Sequence, residues 1–197
     1  MAERTANVKR ETRETRISVS INLDGRGRST IATGLGFLDH MLTALATHAR
    51  LDLELTCNGD LEVDDHHSVE DSALALGRAI DEALGDRTGI RRFGSAYAPL
   101  DESLARVVID LSGRPHAAVQ LDLQREMLGA VACENVTHFF VSLAMAGRLT
   151  LHVDVLRGGN DHHKAEAAFK ALALALRQAV EPDERVNGAP STKGTLT

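Results

Sequence analysis

Two stretches of the chain alternate apolar and polar residues with a period of two and close on a glycine. The first is Arg16-Ile17-Ser18-Val19-Ser20-Ile21-Asn22-Leu23-Asp24-Gly25-Arg26. The second is Arg106-Val107-Val108-Ile109-Asp110-Leu111-Ser112-Gly113-Arg114. That period places apolar side chains on one face and predicts half-buried strands. A short second strand is expected after each, near residues 29–33 and 117–123. The period then becomes helical. Phe37-Leu38-Asp39-His40-Met41-Leu42-Thr43-Ala44-Leu45 matches Val136-Thr137-His138-Phe139-Phe140-Val141-Ser142-Leu143, with ends near Ala49-Arg50 and Gly147-Arg148. A further alternating strand follows each helix, Leu51-Asp52-Leu53-Glu54-Leu55 and Leu149-Thr150-Leu151-His152-Val153. Each series ends in an amphipathic run, with Ala73, Leu74, Leu76, Ile80 and Leu84 in one case and Ala167, Phe169, Leu172 and Leu176 in the other.

The chain therefore reads as a duplication of a β-β-α-β-α unit, residues 1–88 and 89–180, with a Gly-rich seam at 85–94. Antiparallel strands with helices on one face make an α+β layer. Two such units can pack their helices together across a pseudo-twofold axis into one globular unit. The same pattern also allows equivalent residues to meet across a subunit boundary. Residues 181–197 lose periodicity and carry Pro182, Gly188, Pro190 and Gly194, the pattern of a loose tail.

Composition narrows the class. Of 197 residues, 43% are hydrophobic and 25% charged, as in an ordinary globular protein; with no Trp, one Tyr and five Phe the core must be aliphatic. The net charge of −6 argues against a general nucleic-acid binder. The N-terminal residues mix Arg and Lys with Glu3, Glu11 and Glu14 and lack an apolar h-region, so no signal or transit peptide is expected. No apolar run is long enough to cross a membrane. Cys57 and Cys133 share no motif and read as buried reduced thiols of a cytoplasmic protein.

The nine histidines change the picture because they cluster. Asp65-His66-His67-Ser68-Val69-Glu70 returns 96 positions later as Asp161-His162-His163-Lys164-Ala165-Glu166. On a helix successive side chains are about 100° apart, so His66 and Glu70 share a face and His67 and Glu70 share another, while adjacent imidazoles do not chelate one ion together. Each motif thus suits two metals. His40 and His138 sit at matching points of the first helix in each half and complete a set of six imidazoles and two carboxylates. That set suits Mn²⁺, Fe²⁺, Co²⁺ or Zn²⁺, and a six-coordinate ion would keep positions open for substrate. His48 lies two turns after His40; its counterpart is Ala146, an asymmetry that suits contact with substrate. His116 and His152 read as surface histidines. Ser191-Thr192-Lys193-Gly194 has the hydroxyls, cation and backbone of an anion-binding end.

Together, Gly36-Phe37-Leu38-Asp39-His40-Met41-Leu42, Asp64-Asp65-His66-His67-Ser68-Val69-Glu70-Asp71, Leu111-Ser112-Gly113-Arg114-Pro115, the second HHxxE helix and Pro190-Ser191-Thr192-Lys193-Gly194 resemble the imidazoleglycerol-phosphate dehydratase family of histidine biosynthesis, from about Arg10 to the last residues. The resemblance implies a ribosomal protein S5 domain 2-like fold. It implies two Mn²⁺ ions per site held by His40, His66, His67, Glu70, His138, His162, His163 and Glu166. It implies a homo-oligomeric shell of 24 subunits with active sites between subunits. Too few residues precede the first strand for a fused phosphatase domain, so the monofunctional form is expected. By the same resemblance Glu14 is the acid/base. Glu70, Glu166 and His48 join it in the catalytic set. Glu14, His40 and His48 touch substrate, while Arg92, Arg114, Lys170, Ser191, Thr192 and Lys193 take its phosphate. This makes 181–197 a phosphate-contacting tail. Family members often carry Gly where this chain has Ala49 or Arg50.

The chemistry the resemblance implies is dehydration of D-erythro-imidazole glycerol phosphate to imidazole acetol phosphate through a metal-stabilised imidazolate. The proton lost is on a carbon with no adjacent carbonyl, and an anionic ring is what makes its loss and the expulsion of water accessible. A two-metal phosphate hydrolase is the second reading, weakened by the His-rich donor set. A metal-storing or shell-forming protein is the third, weakened by cations such as Arg92, Arg114 and Lys193 that storage does not need.

Overall fold

The computed structural model describes residues 4–186, 188–194 and 196. The elements are β1 (Thr5–Glu11), β2 (Thr15–Asn22), β3 (Ser29–Ala32), α1 (Gly36–Ala49), β4 (Asp52–Gly59) and α2 (His66–Leu84). They continue with β5 (Phe93–Leu100), β6 (Ser103–Asp110), β7 (His116–Gln120), β8 (Met127–Leu128), β9 (Val131–Ala132), α3 (Cys133–Ala146), β10 (Thr150–Arg157) and α4 (Asp161–Val180). Two four-stranded sheets run in the orders β1-β2-β4-β3 and β5-β6-β10-β7, and β8-β9 is a small separate hairpin. The α+β class and the duplication expected from the pattern are present.

Two details differ from expectation. Each repeat opens with an extra strand, β1 or β5, so the unit is β-β-β-α-β-α. In β1 only Ala6 and Val8 point inward. In β5 the inward residues are Gly94, Ala96 and Ala98, while Phe93 and Tyr97 face out. Small residues are needed there because α4 lies close: a Cβ on Gly94 would meet the backbone of Ala175. Neither strand therefore carries the alternation of large apolar side chains by which strands are read. Second, the sheets are not wholly antiparallel. β3 runs parallel to β4, and β7 to β10, since a helix crosses between the members of each pair.

Helices α1 and α2 cover the first sheet, and α3 and α4 the second. The two layers then meet, α2 against α3 and α1 against α4. These helices are buried on two sides, which explains the alanines of α4: Ala165, Ala167, Ala168, Ala171, Ala173, Ala175 and Ala179 are all buried. At the α2–α3 crossing a Cβ on Gly77 would meet the Leu143 carbonyl and the Gly147 amide. The aromatic centre of this interior is Phe139, Phe140 and Phe169, with Phe140 and Phe169 centroids 4.8 Å apart and tilted. Such a contact adds roughly 0.5–1.5 kcal/mol beyond simple burial. Arg50 ends α1 in the left-handed conformation, φ 58°, where glycine costs least; that is the position at which Gly is expected in relatives.

Cys57 and Cys133 are free and buried, as expected, and burial pushes both thiols up. No helix among the described residues is long and apolar enough to cross a membrane.

Candidate metal centre

Each HHxxE motif opens a helix at the helix–helix layer. Asp64 Oδ1 accepts from the His66 amide, and Asn160 Oδ1 accepts from the His162 amide. Each bond satisfies one of the free N–H groups of its helix's first turn, from the N-cap Asn160 in α4 and from the residue before the N-cap in α2. The neighbouring acids reach outward instead. Asp65 accepts from the Ala132 amide, and Asp161 from the amides of Gln124 and Arg125. The two helix starts are thereby tied to the connection that precedes α3.

The i, i+4 spacing sets the first imidazole above the glutamate on each helix, and a histidine from the other repeat completes the group. His66, Glu70 and His138 offer donor atoms all within 4.8 Å of one another, and so do His40, His162 and Glu166. In the first group His138 Nε2 lies 3.1 Å from Glu70 Oε1 and His66 Nε2 lies 3.7 Å from Glu70 Oε2. In the second, the Nε2 atoms of His40 and His162 each lie 3.2 Å from Glu166 Oε2. Every group thus draws one histidine from one repeat and a histidine–glutamate pair from the other. No hydrogen bond, ion pair or ring contact joins one group to the other among the described residues.

A divalent ion fits these residues. Two imidazole Nε2 atoms and a carboxylate converge, partly exposed, and three protein donors leave room for further ligands. The surroundings differ. His66 Nδ1 is 2.9 Å from Asn135 Oδ1. At the matching place in the other group, the Phe37 ring packs edge-on against His162 at 5.3 Å. Lys170 Nζ lies 2.7 Å from Glu166 Oε1. Burial raises the Glu166 carboxyl, but the hydrogen bonds from Lys170 and His40 outweigh it and hold it at about 2.

His67 and His163 point elsewhere, as their 100° rotation from His66 and His162 requires. His67 Nδ1 lies 3.1 Å from both oxygens of Asp60, and its Nε2 is 3.7 Å from Glu14 Oε1. The hydrogen bond to Asp60 raises the His67 pKa. His163 Nδ1 lies 2.7 Å from Glu102 Oε2, with Asp101 3.8 Å from its Nε2. The His163 ring and the amides of Asn160 and Gly159 hold the Glu102 carboxyl well below its usual range. Asp60, Glu102 and Asn135 carry no motif of their own, and sequence reasoning missed them. The one signal for Glu102 was its place in an acidic turn, Asp101-Glu102, between two strands.

The residues assigned to phosphate partly gather. Arg92 Nε and Nη2 grip Asp110 at 2.6 and 2.9 Å, and Nη1 donates to the Pro190 carbonyl at 2.7 Å. Ser191, Thr192 and Lys193 follow directly; the Lys193 amide donates to Ser191 Oγ at 3.2 Å. Gly113, at φ 76°, has no room for a Cβ because the Leu196 carbonyl lies over it, so the Arg114 loop meets the same tail. Lys170 stands apart, on Glu166. His48 is exposed in the last turn of α1, and no contact joins it to either group among the described residues. His116 and His152 neighbour each other on β7 and β10, centroids 6.0 Å apart.

The profile of the family described as imidazoleglycerol-phosphate dehydratase matches residues 33–176. A protein of that name from Cereibacter sphaeroides is 53% identical over 98% of this chain and 100% of its own length. One from Phytophthora nicotianae is 60% identical over 98% of this chain, but the chain spans only 42% of that protein. Among solved structures, imidazoleglycerol-phosphate dehydratase from Staphylococcus aureus superposes with a TM-score of 0.82 at 39% identity, covering 90% of this chain and 99% of that one. The Pyrococcus furiosus structure, in complex with (S)-C348, also scores 0.82, at 38% identity over 96% and 100%.

Proposed function

The chain belongs to the imidazoleglycerol-phosphate dehydratase family, hydro-lyases of histidine biosynthesis, and on that premise we propose that it dehydrates D-erythro-imidazole glycerol phosphate to imidazole acetol phosphate with two Mn²⁺ ions per active site. The observation that carries the reading is the pair of three-donor groups, His66/Glu70/His138 and His40/His162/Glu166, related by the internal duplication. When bound, the divalent ions supply Lewis-acid stabilisation of the substrate ring in its imidazolate form.

The chain's own side chains do the rest. His40, His66, His138 and His162 present Nε2, and Glu70 and Glu166 supply anionic oxygen. His67 and His163 lie outside both groups within one chain, so in this reading a neighbouring copy brings them in. That arrangement fits active sites between subunits, in the 24-subunit shell that the resemblance implies. Glu14, half-exposed beside His67, is the group that moves protons between the two carbons of the substrate side chain. His48 contacts substrate from the same helix as His40. Arg92 uses three of its five N–H donors on Asp110 and Pro190, leaving two for phosphate. The Arg114 and Lys193 side chains make no ion pair among the described residues and complete the cationic set with Ser191, Thr192 and Lys170. Partners are the small-molecule substrate and other copies of the chain, in the cytoplasm, without nucleic acid or membrane.

The test is turnover of imidazole glycerol phosphate by chelator-stripped protein, with and without added Mn²⁺. Metal-dependent formation of imidazole acetol phosphate is the expected result. Metal binding without product would overturn it.

A further inference from the structure

Glu14 and Glu102 occupy the same position in the two repeats. Each is the last residue of the turn joining the first two strands, directly before β2 or β6. Each turns its carboxylate toward the second imidazole of its repeat's HHxxE motif. There the equivalence ends. Glu14 stands 3.7 Å from His67 Nε2, and it is Asp60 that holds His67 Nδ1. Glu102 holds His163 Nδ1 itself, at 2.7 Å, through Oε2. Its other oxygen is fixed by the amides of Asn160 (2.8 Å) and Gly159 (3.1 Å) and by Ser103 Oγ (3.1 Å).

The exchange has a steric reason. Asp60 is the residue that follows β4; the residue that follows β10 is Gly158. A Cβ at 158 would meet Ser103 Oγ and the Lys164 side chain, so no carboxylate fits there. The turn glutamate fills the gap, and its backbone anchors lie in the very segment, 158–160, that leads into α4.

We propose that Glu102 is a positioning residue: it keeps the His163 proton on Nδ1 and turns Nε2 outward as a metal donor, while in the other repeat Asp60 does this for His67 and so leaves Glu14 free for substrate. A carboxylate behind a ligating imidazole fixes tautomer and ring orientation, and losing one typically costs about 10–100-fold in metal affinity or activity. The inference rests on the reading of His163 as a ligand.

Glu102→Gln separates positioning from folding. The amide oxygen stays on the Asn160 and Gly159 N–H groups, so the NH₂ faces His163 Nδ1. That ring nitrogen must then accept, which moves the imidazole proton to Nε2 and blocks it as a donor. The experiment is a Mn²⁺ titration of chelator-stripped protein, with free Mn²⁺ counted by EPR, alongside turnover at each Mn²⁺ concentration. Glu102→Gln is expected to weaken one of two Mn²⁺ classes by about 10–100-fold, with turnover regained in excess Mn²⁺. Glu14→Gln is expected to bind Mn²⁺ like wild type and to lose turnover at every concentration. If Glu102→Gln does not fold, Glu102→Asp keeps the charge and withdraws it from His163 by one methylene, with the same weakening expected. Wild-type Mn²⁺ binding in the folded variant overturns the inference. Failure of the wild-type protein itself to bind Mn²⁺ overturns instead the reading on which it rests.

Discussion

In the group formed by His66, Glu70 and His138 the carboxylate is 35% exposed, and Leu74 stands one turn further along its helix. In the group formed by His40, His162 and Glu166 the carboxylate is 12% exposed, and Lys170 occupies that place at 2.7 Å. Donor chemistry is shared; the electrostatic setting is not. An ammonium on Glu166 Oε1 opposes the arrival of a second cation at Oε2, a repulsion that the other group lacks. A phosphorylated substrate offers Lys170 somewhere else to go. The two repeats carry two like groups, and single side chains around them leave one carboxylate open and pair the other with an ammonium.

The largest expected effect comes from removing a donor carboxylate. Glu166→Gln should fold as wild type by circular dichroism and lose turnover by more than the roughly 10–100-fold typical of an outer-shell loss; Glu70→Gln should match it. Wild-type rates in either would break the equivalence of the two groups. Next comes Asn135→Leu, which frees His66 Nδ1. A roughly tenfold loss of Mn²⁺ affinity is expected, confined to one class of ion in a titration, with the Glu166 group unaffected. Lys170→Met sharpens the contrast. It should tighten Mn²⁺ at Glu166 by up to about tenfold while raising KM for the phosphorylated substrate. A rise in KM with unchanged Mn²⁺ binding would mean that Lys170 serves phosphate alone.

The smallest effect lies in the sheets. At the start of β4, Asp52 accepts from the Arg28 side chain at 2.6 Å and from the amides of Arg26 and Arg28; its counterpart in β10, Thr150, donates to the Arg114 carbonyl. The Arg28 guanidinium, then those amides, hold the Asp52 carboxyl well below the usual carboxylate range. A folded value below the unfolded one means stability that is complete above about pH 4 and is lost as pH falls through the folded value. The gap in urea midpoint between wild type and Asp52→Asn should therefore shrink on acidification below about pH 4. The gap for Thr150→Ala should not change with pH.

The six residues of the two converging groups were legible because a repeated motif is improbable by accident and because helical spacing fixes which side chains share a face. The strands β2, β4, β6 and β10 were legible from their alternation. β1 and β5 were not: a strand pressed against a helix carries Gly94, Ala96 and Ala98 where a large apolar residue would have announced it. Asp60, Glu102 and Asn135 were hidden because an orienting carboxylate or amide is defined by where the fold brings it. The separation of His67 and His163 from the two groups followed from the 100° rotation, but the carboxylates they meet instead, Asp60 and Glu102, are set by tertiary packing. Lys170 was read as a phosphate contact, although it stands four residues after Glu166, the helical spacing of an ion pair.

Each three-donor group is stitched from both repeats, His138 with the α2 pair and His40 with the α4 pair. A cut in the connection between Leu84 and Phe93 would sever both groups at once, leaving fragments that each own two donors of one group, one donor of the other and the whole of neither. Metal capture by such a pair of fragments would be a direct reporter of their reassociation, with no label or fusion needed.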